Sequence, residues 1–551
     1  MILPVLAVLL VFAAISAWST WSGRRKLLAR IRDEWGRPRD VPADMESVAA
    51  FFRSRPPAQS LDDRTWKDLL LDDVFAFADR TQSSIGQQML YCRLRLAQPL
   101  ASLNAFDVLM MRVAADTPLR ERAQMALAKL RHPSGHQLHH LAGSDVLARK
   151  AWHVVFPLWA ATIISVLLLA IVWHALVFFA VFAVVLNTVI RLMIRGRVGT
   201  EIIWSRQLGP LLSAAAALAV FDDGSAAAIT GSLKQDLAAL QRVGAIARWV
   251  SRDPLETGDL LAAVLEFLNG LFLMDANALY FASSELRRHS EQVLNLIGAV
   301  GEIDAAIAVA SLREDIDGWI KPTFTADDSR AMLSELRHPL VDAAVPNSVA
   351  LAPPHGLLVT GSNMSGKSTF LRTVGVNVVL AQTINTCLAR SYEAPVYQVR
   401  SCIGRADDLI AGKSYYLVEV ESVLALVKAS ERPEPQLFIF DELFRGTNAV
   451  ERIAAAEAVL AALIAGGRPH VVLAATHDGE LVDLLRDSYA VCHLGDAIGP
   501  EGLTFDYHLK SGPATSRNAI ALLKLNGAPE SLVTRALERA AALDRQRQSV
   551  T

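Results

Sequence analysis

The stretch that most narrows the choice of fold is Leu357-Leu-Val-Thr-Gly-Ser-Asn-Met-Ser-Gly-Lys-Ser-Thr369. A short apolar run enters Gly361-x-x-x-x-Gly366-Lys367-Ser368, and a helical pattern follows from Phe370. Strand, glycine loop and helix in that order form the P-loop pattern. Its two glycines let the backbone wrap closely and aim N–H groups and the helix N-terminus at phosphate. Gly361, Ser362, Asn363, Met364, Ser365, Gly366, Lys367, Ser368 and Thr369 are therefore the candidate nucleotide cradle. In it Lys367 reaches the β- and γ-phosphates and Ser368 ligates Mg2+.

A second signal lies downstream. Gln436-Leu-Phe-Ile-Phe-Asp441-Glu442 is an apolar run closed by two carboxylates, as expected of a buried central strand whose C-terminal edge meets a nucleotide. Asp441 is the candidate Mg2+ partner, and Glu442 the group that polarises the attacking water. A third strand, His470-Val-Val-Leu-Ala-Ala-Thr476, runs into His477, placed to sense the γ-phosphate. The catalytic candidates are thus Glu442, His477 and Lys367, and the metal candidates Ser368 and Asp441.

In their order these segments resemble the ATPase domain of the MutS mismatch-repair family. The P-loop with its Asn363-Met364 pair is similar to the family's, as are Arg337-His-Pro339 at the domain entry and Asp441-Glu-Leu-Phe-Arg-Gly-Thr-Asn448. Ala475-Thr-His477 resembles the family's switch. Ile403 to Val420 resembles the segment with the family's signature serine, and Tyr507-His508 through Asn526-Gly-Ala-Pro529 its closing segment and terminal helix. The resemblance covers roughly 320–545. It implies ATP with Mg2+, a homodimer through the ATPase domain, Ser414 contacting the partner's γ-phosphate, and His508 stacking on adenine. The family's second aromatic, expected around Val345-Pro-Asn-Ser348, is missing. More weakly, Ala78 to Gly86, continuing to Leu100, and Glu302-Ile-Asp304 to Phe324 resemble the start and end of the family's helical core, or lever, domain.

Upstream of the P-loop the chain is unusually apolar. Overall 52% of residues are hydrophobic and 20% charged, an apolar balance for a soluble enzyme of 551 residues. Ile2 to Trp21 carries no charge over about one bilayer length, and Ala151 to Ile190 none over about two. The simplest reading is an anchor plus a hairpin turning near Trp173-His174, three spans in all. Arg24, Arg25, Lys26, Arg30 and Arg32 follow the first span. Arg149 and Lys150 precede the hairpin, and Arg191, Arg195 and Arg197 follow it. Positive-inside bias puts the N-terminus outside and 22–150 and 195–551 in the cytoplasm, so an inner (cytoplasmic) membrane protein is expected. Leu260 to Phe281, interrupted by Glu266, Asn269, Asp275 and Asn277, reads as a buried soluble helix.

The expected architecture is an α-helical lever-like region with three transmembrane helices, followed by an α/β P-loop NTPase domain of the MutS kind. Its parts are an anchor at 1–22, a basic juxtamembrane segment and linker at 23–61, helical core at 62–150, a membrane hairpin at 151–194, helical core again at 195–322, and the ATPase domain with its C-terminal helix at 323–551. The scattered Cys92, Cys387, Cys402 and Cys492 exclude a disulfide framework and a zinc ribbon. The histidines of Arg131-His-Pro-Ser-Gly-His-Gln-Leu-His-His140 read as a solvated loop rather than a metal site. A net charge of −2 gives no global field for nucleic acid. No Phe-x-Glu wedge motif, clamp segment or appended nuclease is recognised, so any double-stranded DNA partner is expected to be held with weak or no mismatch preference. Two outputs stay open: a membrane-anchored MutS-family ATPase that binds DNA, and a membrane-mechanical ATPase that recruits an unknown protein partner.

Overall fold

The computed structural model describes residues 2–39, 43–142, 154–173, 207–244, 271–325, 330–352, 356–362, 365–403, 415–465, 469–499, 502–514 and 526–548, with isolated positions at 178–179, 182, 185–187, 268, 520 and 523–524. The chain divides into two compact units, one of Met1–Pro57, Phe75–Arg93 and Gln98–Asp317, the other of Ala58–Val74, Leu94–Ala97 and Gly318–Thr551.

The first unit is helical throughout its described residues. Its centre is the helix Ser290–Asp315, which buries Val293, Leu296, Ile297, Val300 and every residue from Ile303 to Leu312. A helix apolar on all sides belongs in a core. By length and composition it could pass for a membrane span, yet 78% of that stretch is buried inside the protein, so it is a core helix.

The helix Ser84–Arg95 crosses it closely at Gly301. A Cβ there would lie 2.8 Å from the Ile85 carbonyl oxygen and 2.4 Å from Met89 Cγ, so the approach requires glycine. Asp304 caps the crossing helix: its carboxylate accepts from the backbone N–H of Gln82 (3.0 Å) and Ser83 (2.8 Å) and from Ser83 Oγ (2.5 Å). Burial pushes the Asp304 carboxyl up to about 6 against these bonds. Arg93 pairs with Glu302 at 2.5 Å. The two segments read in the sequence as the start and end of a helical core therefore interlock.

Several elements differ from the sequence expectation. Pro133–Ala142 is a 3₁₀ helix, not a solvated loop, and it buries His136 and His139. His136 Nε2 meets Gln87 Oε1 at 3.1 Å, and burial lowers His139 to about 4, so His139 packs as a neutral ring. The first helix runs from Ile2 to Glu34 without a break at residue 22. One arm of the expected hairpin is described, the 16-residue helix Val155–Ala170, shorter than the ~20 residues of a typical span. Most of the second arm, and residues 260–267 of the third apolar stretch, lie outside the described residues; the helix Met274–Arg288 follows.

The second unit carries twelve strands: β1 (Trp319–Ile320), β2 (Thr323–Phe324), β3 (Ala331–Leu336), β4 (Asn347–Leu351), β5 (Gly356–Thr360), β6 (Cys387–Leu388), β7 (Ser391–Ala394), β8 (Gln398–Cys402), β9 (Gln436–Asp441), β10 (Val471–Ala475), β11 (Tyr489–Gly499) and β12 (Gly502–Ser511), counted among the described residues. The main sheet has the order β12-β11-β5-β10-β9-β8. It is parallel except for β12, which pairs antiparallel with β11. β5, β9 and β10 are buried along almost their whole length, which is why their sequences read as unbroken apolar runs rather than alternating ones. A four-stranded sheet, β2-β7-β3-β4, and the pair β1-β6 complete the unit.

Residues 62–74, expected in the helical region, belong instead to this sheet unit. The short helix Asp63–Asp68 covers the open edge of β8 with side chains in place of a further strand. Thr65 Oγ1 accepts from Ser401 N–H (3.0 Å), and Asp68 Oδ2 accepts from Ile403 N–H (2.8 Å) and Ser401 Oγ (2.9 Å). An edge so satisfied offers no template for another strand.

Gly301→Ala should destabilise the helical unit by about 1–3 kcal/mol, because one of the neighbours it strikes is backbone. A chemical-denaturation midpoint equal to that of the wild type would show that the crossing has slack.

Candidate active site

The P-loop leaves β5 at its C-terminal end and enters the helix Lys367–Ile384. Gly361 has φ +143° and Gly366 φ +95°, both outside the range of ordinary side chains. A Cβ on Gly361 would stand 2.9 Å from the Leu494 carbonyl oxygen. Ser365 N–H donates to the Ser362 carbonyl (3.1 Å), and Ser365 Oγ donates to the same oxygen (2.9 Å). Lys367 is 3% exposed, and its Nζ donates to the carbonyls of Gly361 and Ser362, each at 2.8 Å. The ammonium is thereby held inside the loop whose phosphate it is expected to meet.

The carboxylates arrive from β9. Asp441 closes that strand, and Ser368 Oγ donates to Asp441 Oδ2. Burial raises the Asp441 carboxyl, partly offset by this bond. A hydroxyl and a carboxylate in contact form a hard-oxygen donor set, which fits Mg2+.

Glu442 follows with a left-handed backbone, φ +53°, its N–H donating to the Ala475 carbonyl at 3.0 Å. Its side chain is 9% exposed and meets three basic groups: Arg445 at 2.8 Å, His477 Nδ1 at 3.1 Å and Lys367 Nζ at 3.8 Å. Burial pushes the Glu442 carboxyl up, but the His477 hydrogen bond and the charges of His477, Arg445 and Lys367 outweigh it, and the net shift is down. The hydrogen bond to Glu442 correspondingly raises His477 above its ordinary 6.5.

Of the predicted residues, the structure thus brings together Gly361, Ser362, Ser365, Gly366, Lys367, Ser368, Asp441, Glu442 and His477. Thr369 is exposed in the first turn of the P-loop helix. Asn363, Met364 and Ser414 lie outside the described residues. His508 is exposed on β12, its N–H donating to Asp506 Oδ1 at 3.1 Å.

Three features near the site escape a reading of the sequence. Arg445 had its position beside Asp441-Glu442 as a signal. Arg452 and Asp478 form a two-bonded ion pair at 3.1 and 2.8 Å, joining the helix after β9 to the residue after His477. Tyr507, with φ +55°, sets its ring against the P-loop: a Cβ on Gly366 would lie 3.1 Å from Tyr507 Cδ1. Asn347 holds that turn, donating to the Tyr507 carbonyl (2.9 Å) and accepting from Leu509 N–H (2.7 Å).

A parallel sheet with a glycine loop between its central strand and the following helix defines this unit as one of the P-loop class. Residues 357–544 match the family model described as MutS domain V. The chain is 34% identical over 269 residues to the DNA mismatch repair protein MutS of Thermus thermophilus, covering 48% of this chain and 32% of that protein. It is 34% identical over 257 residues to the MutS of Thermus aquaticus (45% and 30%), and 32% identical over 269 residues to that of Lactococcus lactis subsp. cremoris (46% and 31%). Over this C-terminal part the chain is similar to the MutS family, and it spans about a third of the length of the curated relatives it matches.

The coupled pair Glu442–His477 can be measured. In an NMR titration His477 should titrate above 6.5, and Glu442→Gln should return it toward that value. The sign follows from the raised folded-state value: the pairing is complete below the ordinary histidine range and is lost as pH rises through the His477 midpoint. A His477 midpoint unmoved by Glu442→Gln would contradict the pairing.

Proposed function

We propose that this protein binds and hydrolyses ATP with Mg2+ at sites completed across a homodimer of its C-terminal unit. The observation that carries the reading is the meeting of Lys367, Ser368, Asp441, Glu442 and His477 at the C-terminal ends of β5, β9 and β10. Phosphoryl transfer needs positioning and charge compensation more than covalent chemistry, and this cluster supplies both. Loop N–H groups and Lys367 hold the β- and γ-phosphates. Ser368 and Asp441 hold Mg2+, which when bound neutralises charge on the phosphate oxygens. Glu442 orients and polarises the attacking water, and His477 senses the γ-phosphate while fixing the Glu442 carboxylate. Tyr507 and His508 flank the base, Tyr507 replacing the aromatic missing at 345–348. Ser414 reaches the partner's γ-phosphate.

Lys367→Ala should weaken ATP binding, whereas Glu442→Ala should keep binding and lower turnover by about a hundredfold or more. Mixed Ser414→Ala and Lys367→Ala subunits should regain activity, because the heterodimer contains one site with an intact P-loop and an intact Ser414. Wild-type turnover in Glu442→Ala would remove the water-orienting role. Silent heterodimers would place the whole site within one chain. The relatives' name points to DNA; with no wedge motif recognised, any affinity would rest on phosphate contacts and fall as salt rises, and the −2 net charge adds no global attraction. Matched and G·T-mismatched duplexes should bind alike. A preference of about tenfold, about 1.4 kcal/mol, would restore mismatch reading.

Membrane attachment through the first helix and the 151–194 hairpin is the second part of the proposal. Ile15, Trp18 and Trp21 on the first helix are exposed, as are Val155, Leu158, Leu168, Leu169, Ile171 and Trp173 around the second. Such a run of exposed large apolar side chains suits lipid better than water. The basic residues that flank both segments favour the inner membrane with both large segments in the cytoplasm. Cysteines introduced as Leu3→Cys and His174→Cys should react with an impermeant reagent on intact cells. Arg390→Cys, at a side chain 74% exposed, should react after permeabilisation alone, and its labelling in intact cells would reverse the topology.

A further inference from the structure

The turn that carries Glu442 is held from outside by a residue with no place in the site described so far. Glu442 (φ +53°) and Phe444 (φ +57°) both adopt the left-handed backbone without being glycine. Such residues stay there when their surroundings leave them no alternative. One restraint is the Glu442 N–H bond to Ala475. A second comes from Glu419, on the helix Tyr415–Ala429: its Oε1 accepts from Phe444 N–H at 2.6 Å. Glu419 is 6% exposed, so this short bond from a backbone donor to a buried carboxylate is shielded from water. Tyr416 on the same helix packs beside the turn, 6.5 Å from the Phe444 ring centroid and 3.6 Å from where a Gly446 Cβ would stand.

We propose that Glu419 is a positioning residue for hydrolysis: through Phe444 N–H it holds the left-handed turn that aims Glu442. The inference rests on the ATPase reading above. It also joins two assignments, because the helix that carries Glu419 begins directly after Ser414 in the chain. A shift of that helix on engaging a partner's nucleotide would act on the turn of its own site. Glu419 touches neither nucleotide nor water in this role, so removing it should affect the chemical step and spare binding.

The test uses the full chain in detergent, with MgATP turnover and binding of a fluorescent ATP analogue measured separately. Glu419→Ala should lower kcat by about tenfold or more while the analogue's Kd stays within about twofold. Glu419→Gln, whose amide oxygen can still accept from Phe444 N–H, should recover most of that loss. Amide exchange of the peptide around 441–447 should speed up in Glu419→Ala and stay slow in Glu419→Gln. Should Glu419→Ala fail to fold, Glu419→Asp, one methylene shorter, should lower kcat with Kd preserved. Equal kcat in wild type and Glu419→Ala, equal losses in the Ala and Gln variants, or a Kd that worsens as much as kcat would each overturn the positioning role. Absence of MgATP turnover in the wild type would instead remove the ATPase reading itself.

Discussion

The arrangement of the second unit depends on a balance of charge at the C-terminal ends of three adjacent parallel strands. Two carboxylates from β9 stand beside a buried lysine from the loop after β5 and a histidine from the end of β10. Each charge would be expensive in isolation. Lys367 is satisfied by two loop carbonyls, Asp441 by the Ser368 hydroxyl, and Glu442 by three basic groups. The burial of the site and its charge are therefore compatible because Lys367, Asp441 and Glu442 each have a partner close by. The parallel order makes this possible, since it places the ends of β5, β10 and β9 side by side.

The site also stores backbone conformations that ordinary residues resist. Gly361 and Gly366 take theirs without penalty, but Glu442, Phe444 and Tyr507 do not. Each of these three is held by a hydrogen bond from another element: Ala475 for Glu442, Glu419 for Phe444 and Asn347 for Tyr507. Strain clustered around one loop and restrained from several directions is a common mark of a site that has to be aimed.

The helical unit answers a different requirement. Its core helix is apolar on all faces, and two helices can approach closely where glycine replaces a side chain, as at Gly301. The buried Asp304 is kept because it caps a helix end that would otherwise leave two N–H groups unsatisfied in the core. Its raised carboxyl shows that the bonds offset the burial in part.

The P-loop, the Asp441-Glu442 strand and the strand before His477 are legible in the sequence, because phosphate chemistry demands fixed residue types within a few positions of one another. The apolar runs of β5, β9 and β10 are legible for a similarly local reason: a strand buried on both faces has no polar positions to alternate with. The docking of Asp63–Asp68 on β8, the Glu419 bond to Phe444 and the Tyr507 ring at Gly366 are not. Each joins segments far apart in the chain, and nothing in either segment alone names the other. The 3₁₀ helix at Pro133–Ala142 reads as a loop because its histidines look polar, while their burial depends on Gln87 and the helices around them. The sequence by itself determined the chemistry of the cradle; which distant side chains restrain it was decided by the sheet order, since only folding brings those partners within reach of a hydrogen bond.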